Sequence, residues 1–87
     1  MLLSASFSSF AIKPLSCEML TLLVGITAME RDKGTPRHTT VVAKNRDDEL
    51  TKKEVKFILD TVYIVGGNQT PDQIKNQIYY SCREAHR

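Results

Sequence analysis

Residues 70–87 constrain the fold of this chain more than any other segment. Thr70, Pro71 and Gln73 form a helix start: a capping hydroxyl, a proline at the first helical position and a Gln three residues after the cap. Ile74, Ile78, Cys82 and Ala85 then recur at helical spacing and make one apolar stripe. The opposite face carries Gln73, Asn76, Gln77, Tyr80, Glu84 and Arg87, with Arg83 at its edge. A helix with two faces this unlike needs a core on one side. On the other it is free to hydrogen-bond water or a partner.

Two further helices are written in the same way. Ser16 is a cap candidate with Glu18 in the first turn, where the helix dipole favours a carboxylate. The segment from Met19 to Met29 is apolar nearly all round, which predicts the central core helix. Gly25 within it points to a close crossing, since glycine costs about 1 kcal/mol in a helix interior. Thr51 and Glu54 form a capping box that opens a helix to Val65, and Gly66-Gly67 is expected to end it in a left-handed conformation.

The remaining segments read as strand and loop. Leu3, Ala5 and Phe7 alternate with serines, and Phe10 and Ile12 resume the alternation in a shifted phase. Thr39, Thr40, Val41 and Val42 are β-branched and predict a second short strand over 38–44. The expected fold class is therefore α+β: one small domain over residues 1–87, dominated by three helices, with a minor two-stranded β element from 2–12 and 38–44. An all-α bundle of four helices is the alternative.

Size and composition narrow the function. A chain of 87 residues buries roughly 60–65% of its unfolded surface, so a deep substrate cavity competes with the core for material. The net charge of +2 is unevenly spread: residues 1–44 hold five Lys/Arg against three Asp/Glu, and residues 45–87 hold seven of each. A nucleic-acid binder carries a basic stripe. The half with the best recognition helix has no basic excess.

Motifs for catalysis or metal binding do not assemble. Cys17 at a helix start with His38 or His86 lacks a third, orienting group. The two His and two Cys show no zinc-ligand spacing. Asn45, Asp47, Asp48 and Glu49 resemble a calcium loop in composition but fail its register. Arg31, Lys33, Arg37 and His38 read as a modest basic patch on a solvated loop. No catalytic residue, metal or cofactor is expected. Cys17 and Cys82 read as free thiols of a reducing compartment, which places the protein in the cytoplasm; a single bridge between the first and last helices is the alternative. Lys13 and Glu18 interrupt the apolar N-terminal stretch, so no membrane span is expected.

Two surfaces stand out as contact candidates. Phe57 and Ile64 lie seven residues apart, on the side of their helix away from the expected core stripe of Val55, Ile58, Leu59, Val62 and Val65. On the last helix, Gln73, Asn76, Gln77, Tyr80 and Arg83 form the polar face, with Tyr and Arg the types that most often anchor interfaces. The expected function is a non-enzymatic binding protein acting through protein–protein contacts, as an inhibitor, adaptor or oligomer subunit, with self-association as a homodimer the leading form. The alternative is a helix-turn-helix regulator that places the 70–87 helix in the major groove of DNA.

Overall fold

The computed structural model describes residues 15–46 and 48–85. Four helices follow one another: α1 (Cys17–Asp32), α2 (Val41–Lys44), α3 (Lys52–Asp60) and α4 (Pro71–Ala85). A 3-10 turn (Arg37–Thr39) precedes α2, and α3 runs on into a π-helical turn (Thr61–Val65). Among the described residues there is no strand, so the α+β expectation is corrected, and the fold is closer to the all-helical alternative. The strand expected over 2–12 lies outside the described residues.

The strand expected over 38–44 is helical for a local reason. Thr40 is fully buried, and its hydroxyl donates to the Arg37 carbonyl (3.1 Å) and accepts from the Ala43 N–H (3.1 Å), making it the N-cap of α2. The carboxylate of Glu30 on α1 accepts from the Val41 N–H (3.2 Å), satisfying a second orphan donor of that helix start. Val42 then drops into the core. Strand propensity of β-branched residues is context-dependent, and here the capping hydroxyl and burial of Val42 override it.

The helix starts expected from sequence are present. Ser16 accepts from the Met19 N–H. Thr51 and Glu54 close their capping box from both sides, and Thr70 and Gln73 exchange the same pair of bonds at 2.9 and 3.2 Å. The end of α3 differs from expectation. Gly66 has φ −103° rather than a left-handed conformation, and its N–H donates to the Thr61 carbonyl (2.8 Å), five residues back, closing the π turn. At Gly66 the neighbouring side chains leave little space instead. A Cβ there would lie 2.9 Å from Gln69 Oε1 and 3.0 Å from Ile74 Cδ1.

α1 is the hub. Val24 and Ala28 of α1, Val42 of α2, Ile58 of α3, Val62 of the π turn and Ile74 of α4 form one buried cluster. α4 lies antiparallel on α1: Cys17, the first residue of α1, is bonded to Cys82 near the end of α4, and the stem of Lys75 crosses Gly25. The disulfide, with Cα atoms 5.6 Å apart, corrects the expectation of two free thiols. The close crossing expected at Gly25 is present, since an added Cβ would meet Lys75 Cδ at 2.7 Å.

Candidate contact surfaces

The face of α4 is assembled as the periodicity requires, except that Ala85, expected in the apolar stripe, is exposed. Ile74 is buried and Ile78 and Cys82 are half-buried, so Gln73, Asn76, Gln77, Tyr80 and Arg83 are turned outward on one side of the helix, all exposed. Tyr80 is 70% exposed. Arg83 is partly committed within its own helix: its guanidinium donates to the Tyr79 hydroxyl (2.8 Å) and lies 5.5 Å from the centre of the Tyr79 ring. Tyr79 in turn meets Tyr80 edge to face, with ring centres 6.4 Å apart. Arg83, Tyr79 and Tyr80 therefore form a preordered aromatic–cation group at the C-terminal half of α4.

Phe57 and Ile64 are also exposed, at 50% and 67%. They do not share a helix face as closely as their spacing predicts. Seven residues bring two side chains together in a continuous α-helix, whereas the π turn from Thr61 winds more residues into a turn and rotates Ile64 away from Phe57. Val65, expected in the core stripe, is displaced in the same way and is 81% exposed.

A surface that sequence reasoning missed lies on α1. Met19, Leu22, Ile26 and Met29 recur at steps of three, four and three residues and are between 38% and 53% exposed. That spacing is an a/d seam, the pattern with which one helix meets another. It was hidden in the sequence because Leu20, Leu23, Val24 and Ala28 supply apolar side chains around the rest of the helix. The buried side of α1 is instead Cys17, Val24, Gly25, Thr27 and Ala28. Small residues there let α4 approach closely and leave the larger ones outside.

The basic patch expected from Arg31, Lys33, Arg37 and His38 is not assembled. Arg31 belongs to the last turn of α1, and its side chain is only 13% exposed. Its guanidinium donates to the carbonyls of Val62 (2.9 Å), Gly66 (2.9 Å) and Gln69 (2.5 Å), and to the carboxylate of Asp32. Arg37 pairs with Asp60, which Lys56 also contacts from one turn earlier in α3. The Lys56 hydrogen bond, followed by that of Arg37, holds the Asp60 carboxyl below its ordinary pKa of 3.8. Tyr63 donates its hydroxyl to the Thr35 carbonyl (2.7 Å), and burial, then the nearby Glu30 charge, raises its pKa above 10.0. These groups serve the fold. No group of His, Cys, Asp and Glu among the described residues is placed to hold a metal ion.

No protein-family profile matches this chain, and no curated protein or solved structure matches it. Among the described residues no helix is long and apolar enough to cross a membrane.

Proposed function

We propose that this protein is a non-enzymatic binding module that works through protein–protein contacts, self-association as a homodimer first among them. The observation that carries the reading is the a/d seam of Met19, Leu22, Ile26 and Met29 on the outside of α1. Large apolar side chains gathered on one face of a small domain mark a contact surface. Phe57 and Ile64 extend the apolar surface of the molecule on α3 and the π turn. Gln73, Asn76, Gln77, Tyr80 and Arg83 give α4 the polar and aromatic composition of an interface. Inhibitor, adaptor and oligomer subunit remain the roles that such surfaces serve.

The helix-turn-helix alternative would use the same α4 face on DNA. It draws little support from the packing. α3 ends in a π turn, a further five residues separate it from α4, and α4 packs on α1 while α3 packs on both α1 and α2. A recognition pair instead has a short turn and packs on itself. As for location, the cytoplasmic placement rested on unpaired thiols, and the Cys17–Cys82 bridge favours an oxidising compartment instead.

Size-exclusion chromatography with light scattering separates these readings, run with and without mixed-sequence duplex DNA. The expected result is a dimer that ignores DNA and becomes monomeric in Leu22→Asp without loss of helical circular dichroism. A monomer for the unsubstituted chain, or a DNA complex that dissolves at high salt, would reject the leading form.

A further inference from the structure

A groove opens where the start of α1 faces α2 and the loop that follows it. Leu15, Leu23, Val42 and Leu50 form its floor, and Met19 and Val41 stand at its mouth. Its volume is about 600 Å³, within the range of small-molecule sites. The outer wall is held in place. Asn45 takes a left-handed conformation (φ 41°), its side-chain N–H donates to the Leu50 carbonyl (2.8 Å), and its side-chain oxygen accepts from the Leu50 N–H (3.2 Å). Leu50 is thereby fixed against the core by a two-way amide clamp, so the groove is a shaped feature of the loop.

The rim is polar on one side. Lys44, Arg46 and Glu49 line it together, a net charge of +1. Lys44 and Asn45 also line a second, more open depression of about 400 Å³. That depression contains Arg37, Lys44, Lys52 and Lys56 against Asp48. Arg37 and Lys56 are committed to Asp60. Lys44, Arg46 and Lys52 make no ion pair among the described residues. An apolar trough therefore runs up to a ledge of uncommitted cations, with Lys44 at the junction.

We propose that this groove binds a single-chain anionic amphiphile: an alkyl chain on the floor of Leu15, Leu23, Val42 and Leu50, and a carboxylate or phosphate head at Lys44 with Arg46 or Lys52. Charge complementarity selects the head, and the aliphatic lining selects the tail. The volume suits one alkyl chain better than a partner helix, which is about 10–12 Å across with its side chains. A cationic head would meet Lys44 and Arg46 at the mouth and be repelled.

The test uses the full chain with dodecyl phosphate and dodecanoate below their micelle concentrations, read by calorimetry and by amide chemical shifts. Expected is saturable one-to-one binding, with shifts centred on Val41, Val42 and Leu50. Affinity should fall at least tenfold in Val41→Asp and at least fivefold in Lys44→Glu. Both residues are exposed, so both variants should keep the helical signal and melting temperature of the parent. Dodecyltrimethylammonium should bind at least tenfold more weakly. The proposal is overturned by absence of saturable binding, by equal binding of the cationic amphiphile, or by unchanged affinity in both variants. It is also overturned if nuclear Overhauser contacts place Phe7 or Phe10 of the same chain in the groove, or if an acidic amphipathic peptide binds there and the amphiphiles do not.

Discussion

The two ends of α1 are joined to their neighbours by different chemistry. At the first turn, Cys17 is bonded covalently to Cys82 of α4. At the last turn, Arg31 reaches over the end of the π turn and hydrogen-bonds three carbonyls, at Val62, Gly66 and Gln69. The first link persists in the unfolded chain and stabilises largely by restricting it. The second exists only in the folded state, where a cation meets carbonyls of the π turn and of the loop that follows it. One end of the hub helix is thus sensitive to redox conditions and the other to the shape of a single side chain.

Removing the covalent link should have the larger effect. The bridged residues are 65 apart in sequence, for which the chain-entropy relation gives about 4 kcal/mol at 25 °C. Urea unfolding of the oxidised protein against the Cys17→Ser, Cys82→Ser double variant measures it. A difference under about 1 kcal/mol would mean that α4 is held on α1 by packing at Gly25 and Ile74, with the bridge incidental.

Arg31→Ala should come next, at about 3 kcal/mol, because three carbonyls lose a charged donor in a half-buried site. Arg31→Lys should recover only part of this, since an ammonium lacks the planar fork that spans three acceptors. The two ends of α1 are 14 residues apart, about 21 Å along the helix. Their effects should therefore add to within about 0.5 kcal/mol in the combined variant. A clear departure from additivity would show that α4 and the π turn respond as one unit through the shared contact of Gly66 and Ile74.

This contrast also explains what could be read from the sequence. The three long helices were legible because their starts use local chemistry: Ser16, Thr51 with Glu54, and Thr70 with Gln73 each bond within three residues of themselves. The face of α4 followed from its period. What escaped depends on distant partners. The role of Arg31 requires carbonyls 31 to 38 residues away, so in sequence it looks like one more cation of a charged turn. The 38–44 segment has strand composition, and only Thr40 capping α2 and Val42 entering the core make it helical. The π turn after Asp60 has no marker in the run from Thr61 to Val65, and Val65, expected in the core stripe, is exposed beyond it. The seam on α1 was visible as spacing but not as exposure, because its other side is apolar as well.

The Arg31 link and the Asp60 pairing should also differ, by a smaller amount, in their response to pH. The clamp of Arg31 sets a guanidinium against neutral carbonyls, so it should hold across the acid range. The neighbouring pairing of Asp60 with Lys56 and Arg37 should not. Its folded carboxyl has a pKa below the ordinary 3.8, chiefly through the Lys56 hydrogen bond and then that of Arg37. A lowered carboxylate pKa means that the unfolded chain binds the proton more readily. The contribution of Asp60 is therefore fully present above about 3.8 and is lost as pH falls through its folded value. Denaturation midpoints of the parent and of Asp60→Asn should differ at pH 6 and converge toward pH 2. For Arg31→Ala, in contrast, the difference from the parent should stay nearly constant over the same range. Parallel curves for Asp60→Asn would show that the ion pairs around it add nothing beyond the hydrogen bonds a neutral amide can also accept.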